Sequence, residues 1–202
     1  MPSQADIVAE ISRCRICAER FAATETAHQP RPVLVLSRTA RVLIVGQAPG
    51  ARVHASGVPF DDPSGDRLRG WMGIGRETFY DPAKLAIVPM GFCFPGYDAK
   101  GADLPPPKIC AETWRTCVMA SLPQIELTLV IGQYAQAWHL GKARGKSLTE
   151  TVRHWRAFAA ATPSQVPLPH PSWRNTAWLK KNPWFEEDVL PWLQGEVRRL
   201  CS

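Results

Sequence analysis

His170 stands between two prolines in the run Pro169-His170-Pro171-Ser172-Trp173-Arg174-Asn175. An electrostatic catalyst must point at a charge before that charge forms, and proline on either side of an imidazole removes the freedom that would blur its aim. The plainer reading is a structural loop histidine. The residues after His170 favour chemistry. Trp173 is large enough to act as a wedge and Arg174 is a cation that seeks phosphate, with Ser172 and Asn175 beside them as polar contacts. Further on, Trp178 and Trp184 flank Lys180 and Lys181. Lysines interleaved with aromatics suit a nucleic-acid surface, although the aromatics equally suit a core.

A second constellation is made of cysteines. Cys14-x2-Cys17 lies near the start of the chain, Cys93 follows a short apolar run, and Cys110 lies seventeen positions further on. A CxxC pair is a redox couple or half of a metal site. Four thiolates from two separated segments suit either zinc or a [4Fe–4S] cluster. Cys117 lies on the same expected helix as Cys110 and is a substitute ligand, while Cys201 reads as an ordinary thiol. A third constellation is the turn Gly46-Gln47-Ala48-Pro49-Gly50 and the lone aromatic Phe60, in Gly57-Val58-Pro59-Phe60-Asp61-Asp62. The turn is neither a Walker loop nor a dinucleotide fingerprint. Its glycines allow a ligand close to the backbone, and its proline stiffens the turn.

These residues need a scaffold, and the pattern supplies one. Short apolar runs at Ala40–Gly46, Lys84–Gly91 and Leu127–Gly132 read as buried strands, with a short fourth one from Val166 ending at His170. Helical spacing lies between them: at 4–14, at 64–73 with Ser64 as the expected N-cap, at 107–122 with Pro107 near its start, at 133–141, at 147–161, and in a closing helix interrupted at Pro191. The expected fold is α/β: a three-layer αβα sandwich with a mostly parallel four-stranded sheet, forming one domain over residues 1–202. Ligands of such sheets bind beyond the carboxyl ends of the strands. The Gly46–Gly50 turn, the segment at Met90 and Gly91, and the His170 loop all fall at strand ends, so they are expected to share one mouth.

Composition sets the bounds. The chain has 202 residues, 45% hydrophobic and 21% charged, with a net charge of +6. That charge favours a polyanionic partner and excludes little by itself. No apolar run reaches the length of a membrane span, and the first residues lack the apolar core of a secretory signal. A soluble cytoplasmic protein, acting as a monomer, is expected.

Taken together, the motifs resemble those of the uracil-DNA glycosylase superfamily, most closely its iron–sulfur families 4 and 5. Gly46-Gln47-Ala48-Pro49-Gly50 is similar to that superfamily's first motif, His170-Pro171-Ser172 to its second, and Gly57-Val58-Pro59-Phe60 to the family-4 stretch whose Phe stacks on the flipped base. The Arg174-Asn175 pair is similar to the family-5 form of the second motif. The resemblance covers nearly the whole chain. It implies a monofunctional DNA glycosylase of base excision repair that hydrolyses the N-glycosidic bond of a flipped, deaminated base, uracil first. It also implies roles. His170 and Gln47 are the catalytic candidates. Gly46, Ala48, Pro49, Phe60, Met90 and Gly91 form the base pocket. Ser172, Trp173, Arg174, Asn175, Lys180 and Lys181 meet DNA, and Cys14, Cys17, Cys93 and Cys110 hold a [4Fe–4S] cluster, with zinc the alternative.

Two departures sharpen the question of substrate. Ala48 stands where the most active members carry a water-orienting Asp, which leaves Asp61 and Asp62 as candidates for that task, with loop capping as their ordinary role. The segment before Cys93, Val88-Pro89-Met90-Gly91-Phe92, lacks the Asn that usually reads uracil. Backbone amides near Met90 and Gly91, or the Gln47 side chain, are the expected substitutes, and hypoxanthine or xanthine become rival substrates. A catalytically weak binder of damaged or abasic DNA and an enzyme of free nucleosides are the remaining alternatives.

Overall fold

The structure, a computed structural model, describes residues 3–202. Its centre is a four-stranded, wholly parallel sheet of β1 (Val42–Val45), β2 (Leu85–Ile87), β3 (Leu127–Ile131) and β4 (Ser164–Leu168), in the order β2-β1-β3-β4. All residues of β1, β2 and β3 are buried, as expected of strands covered on both faces. Alternate residues feed two cores. Val42, Ile44, Leu129 and Ile131 pack with Leu68, Met72 and Leu193 on one side. Leu43, Val45 and Val130 pack with Ile11, Ala111 and Val118 on the other. The helices Pro63–Met72 and Leu190–Cys201 cover the first face, and Gln4–Ser12 and Lys108–Ala120 the second. The expected three-layer αβα fold is thus the observed one.

The chain order sets the place of the site. From β1 the chain moves to β2 on one side, and β3 then returns to pair with β1 on the other. The reversal leaves a crevice beyond the carboxyl ends of β1 and β3, the natural ligand position of such a sheet.

Three local expectations are corrected. The helix at 63–72 is capped by Asp62, whose Oδ1 accepts from the Gly65 amide at 2.9 Å, and not by Ser64. Pro63 fits the first helical position, where an N–H would have no partner. The stretch expected as one helix at 147–161 is two, Leu148–Arg153 and Trp155–Ala159. The interruption at Pro191 takes the form of a π-helical turn, Phe185–Val189, from which the α-helix Leu190–Cys201 starts with Pro191 in its first turn. Among the described residues, no helix is long and apolar enough to cross a membrane.

Candidate active site and thiol centre

The four strand ends open onto one cleft of about 740 Å³. Gly46, Gln47, Ala48, Pro49 and Gly50 line it from β1, Pro89 from β2, Gln133 and Tyr134 from β3, and His170, Ser172, Trp173, Arg174 and Asn175 from β4. Phe60 and Asp62 close one side, and Ala102 and Asp103 the rim.

His170 is the best-defined group in the cleft. Its Nδ1 accepts from the Ser172 amide at 3.2 Å. A backbone amide can only donate, so Nδ1 is unprotonated and the neutral ring carries its proton on Nε2. Burial lowers the His170 pKa, opposed by Asp62 and Asp103 and assisted by Arg174, so the neutral form is favoured. The loop is tied at both ends. Asn175 Nδ2 donates to the His170 carbonyl at 2.7 Å, and Arg67 donates to the Ser172 carbonyl at 3.0 Å. Behind the imidazole, Gly132 has φ +78°, and a Cβ there would meet His170 Cβ at 4.0 Å.

Phe60 is held just as firmly. Its φ of 55° is left-handed, a strained setting for a residue with a side chain. Its carbonyl accepts from Tyr80 Oη at 3.3 Å and from Arg69 at 3.4 Å. The ring reaches back toward the first motif: a Cβ at Gly46 would lie 3.6 Å from Phe60 Cζ. An aromatic ring and an imidazole donor therefore line the same cleft.

The Gly46–Gly50 turn is fixed by its neighbour strand. The Met90 amide donates to the Gly46 carbonyl and the Gly91 amide to the Gln47 carbonyl, both at 2.9 Å. This corrects the expectation that these two amides read a base. They continue the hydrogen-bond ladder of β1 and β2 and have no donor left. The Met90 side chain is buried in the second core, and Gly91 faces the cysteine pocket. In their place the cleft presents Gln133, Tyr134 and Asp103, which the sequence motifs did not single out. Gln133 and Tyr134 directly follow a glycine at the end of β3, the same strand-end signal that marked the other loops. Asp61 and Asp62 separate in role. Asp61 pairs with Arg76 at 3.3 Å, whereas Asp62 caps its helix with one oxygen and lines the cleft.

Trp173 is 76% exposed at the cleft mouth, with the Arg174 guanidinium 5.8 Å from its ring centre and 3.9 Å from Asp103. Lys180 and Lys181 lie in the last turn of the short helix Thr176–Lys181, outside the cleft lining. Trp178 and Trp184 are not part of an exposed aromatic surface. They pack against the first core, with Trp178 Nε1 donating to Thr149 at 2.8 Å and Trp184 Nε1 to Asn182 at 3.1 Å.

The thiols form a separate centre. Cys14, Cys17, Cys93 and Cys110 line one apolar pocket with Phe21, Phe92 and Trp114, sharing no lining residue with the cleft. Burial pushes the Cys93 thiol up to about 12, with Cys110, Cys14 and Cys17 adding to the shift. Burial likewise pushes Cys110 up to about 11. The Phe92 amide donates to Cys110 Sγ at 3.4 Å, and the Arg31 backbone bonds Cys93. Among the described residues, no three His, Cys, Asp or Glu side chains are grouped so as to hold a metal ion directly. Cys117 lies apart, its Sγ donating to the Trp114 carbonyl at 3.1 Å, and Cys201 belongs to the first core.

A parallel sheet with this strand order, an aromatic ring beside the first strand's loop and a neutral imidazole at the last strand's end line one cleft on an α/β scaffold. The family model of the uracil DNA glycosylase superfamily matches residues 15–194, nearly the whole chain, and the protein belongs to that superfamily. Members of the superfamily are typically DNA glycosylases, hydrolases that act on DNA.

Proposed function

We propose that the protein is a monofunctional glycosylase that excises a deaminated base, uracil first, from DNA. The observation that carries this reading is the tautomer of His170. Its Nδ1 is occupied by the Ser172 amide, which leaves Nε2–H as the donor of a half-buried side chain that lines the cleft. A base inside a duplex is out of reach of that donor, so the nucleotide is extruded, at a cost of a few kcal/mol. Phe60 stacks on the flipped base, and Trp173 fills the space it vacates. As the glycosidic bond breaks, negative charge gathers on the base, and Nε2–H of His170 stabilises it at a carbonyl oxygen. Gln47 and Tyr134 are the side chains placed to read the base edge. Asp62, with one oxygen capping a helix and the other uncommitted, orients the attacking water in place of the Asp that Ala48 replaces. Arg174, Lys180 and Lys181 bind phosphates. Among the described residues, no lysine lines the cleft, which supports hydrolysis over Schiff-base chemistry.

The four thiolates would hold a [4Fe–4S] cluster that acts structurally, cross-linking the chain's first residues to the loop after β2 and the helix behind it. The donor set fits: four cysteines, an apolar wall, and two backbone N–H groups aimed at sulfur.

The segment before Cys93 lacks the usual base-reading Asn, and Pro89, which lines the cleft there, has no side-chain donor, so hypoxanthine or xanthine is the second substrate class. The test is single-turnover incubation with oligonucleotides carrying uracil, hypoxanthine or xanthine, followed by alkaline cleavage of abasic sites. Uracil excision that disappears in His170→Ala supports the proposal. Tight binding of abasic DNA with no excision of any of the three bases would overturn it in favour of a recognition protein.

A further inference from the structure

Arg115 is a fully buried cation, 1% exposed on the helix Lys108–Ala120, five residues beyond Cys110. It donates to the carbonyls of Val88 at 3.0 Å and Pro89 at 3.1 Å and to Nε2 of His139 at 2.6 Å. Its Nε has no partner. Among the described residues, no carboxylate lies within ion-pair distance of it. His139 brings no negative charge. Burial and Arg115 itself lower its pKa to about 3, so it is neutral and only accepts. Burial lowers Arg115 to about 10, which still leaves it a cation at neutral pH, and the one acidic group that supports its charge is Cys110. A buried ion without a counter-charge is costly, and folded chains remove the cost by placing an opposite charge nearby.

We propose that the Arg115 guanidinium is the buried counter-charge of the group held by Cys14, Cys17, Cys93 and Cys110. The inference rests on the reading of those four residues as ligands. Four thiolates carry more negative charge than a cluster core or a zinc ion carries positive, so the filled centre is a net anion in the same interior as Arg115. The cation holds that anion in place and favours its more negative redox state, which raises its reduction potential. Through the Val88 and Pro89 carbonyls, the same guanidinium fixes the end of β2 where Pro89 meets the cleft. The thiolate centre and the base site thereby share one anchor.

The test compares the parent holoprotein with Arg115→Met, Arg115→Lys and His139→Gln, all purified without oxygen. Iron per chain, loss of the visible charge-transfer band under a chelator, and the midpoint potential are measured. Arg115→Met should release iron faster, within the 10–100-fold range typical of changes next to a metal centre, and its midpoint should move negative. Arg115→Lys keeps the charge and should stay close to the parent in potential. His139→Gln disturbs the same contact without changing charge and should affect neither reading. If Arg115→Met and Arg115→Lys lose iron equally at an unchanged potential, Arg115 is only a packing residue and the proposal fails. If Arg115→Met does not accumulate, Arg115→Gln takes its place as the charge-removing variant: a midpoint moved negative supports the proposal and a parent-like one overturns it. A parent that holds no metal refutes the ligand reading itself, and the counter-charge falls with it.

Discussion

At the scale of single residues, the proposed mechanism uses His170 uncharged. A proton added at Nδ1 would break the bond from the Ser172 amide that aims the ring, and burial lowers the pKa for that step, so the acid limb of the cleavage profile should fall below the ordinary imidazole value of about 6.5. Removing one preorganised donor typically costs 10²–10³ in rate, or about 3–4 kcal/mol. His170→Ala should lose that much in single-turnover cleavage while DNA affinity and folding hold, and equal rates in the two proteins would end the mechanism. Phe60→Ala should lose less, about 1–3 kcal/mol, the worth of one base–aromatic stack. His139 gives a stability prediction with the opposite bearing on the site. It is neutral when folded, with a pKa near 3, and takes up a proton on unfolding below about 6.5. In that window the unfolded chain binds more protons, so stability falls as pH falls, by at most about 1.4 kcal/mol per unit for this group. Thermal melts between pH 7 and pH 4 should show the decline, and His139→Gln should flatten it.

At the scale of elements, the helix Pro63–Met72 carries the strictest constraint. A Cβ on Gly65 would stand 1.8 Å from the Phe60 carbonyl oxygen and 2.7 Å from its carbon, and both are backbone atoms with nowhere to go. Gly65→Ala should therefore displace Phe60 and lower cleavage at least as much as Phe60→Ala, measured in the same single-turnover assay. The β4 loop presents a different case. Trp173 is exposed and makes no contact that the fold depends on, so Trp173→Ala should melt like the parent. Its cleavage of duplex should drop more than its cleavage of single strands, since a wedge matters only where a stack must be held open. β1, β2 and β3 are readable from sequence because strands buried on both faces are near-continuous apolar runs, whereas β4 begins with half-buried Ser164 and Gln165 and ends at Leu168, two residues before the expected end at His170. Caps are not readable: Asp62 and Ser64 are equally good capping types, and only the placement of Pro63 in the first helical position decides between them. Met90 and Gly91 mislead for a related reason. Their position after β2 is legible, but the use of their amides in the ladder to Gly46 and Gln47 is not.

Over the whole molecule, the net charge of +6 becomes a question of where the cations stand. Arg174 at the cleft and Lys180 and Lys181 beyond it lie on the chain just after His170. Replacing them with Ala should weaken binding to all DNA sequences and flatten the salt dependence by about 0.9 for each phosphate no longer neutralised. Titrations across salt concentrations check this, and an unchanged slope would place the DNA elsewhere. The pattern of basic and aromatic residues at 178–184 is only half informative, for a physical reason. Spacing shows which residues alternate, but not which face meets the core, and Trp178 and Trp184 turn inward. That Cys14, Cys17 and Cys93 meet a thiol of the helix Lys108–Ala120 follows from the motif resemblance. The choice between Cys110 and Cys117 does not, since seven residues are about two helical turns and return to the same face about 10.5 Å further along.

Arg67 has a consequence for timing. By holding the Ser172 carbonyl from the helix that comes after Phe60, it ties the segment that carries His170 to the segment that carries Phe60. Under the proposed function, a nucleotide that swings out by its own fluctuation would meet a pocket already assembled, so turnover should follow the lability of the base pair: single strands first, wobble mismatches next and matched pairs last.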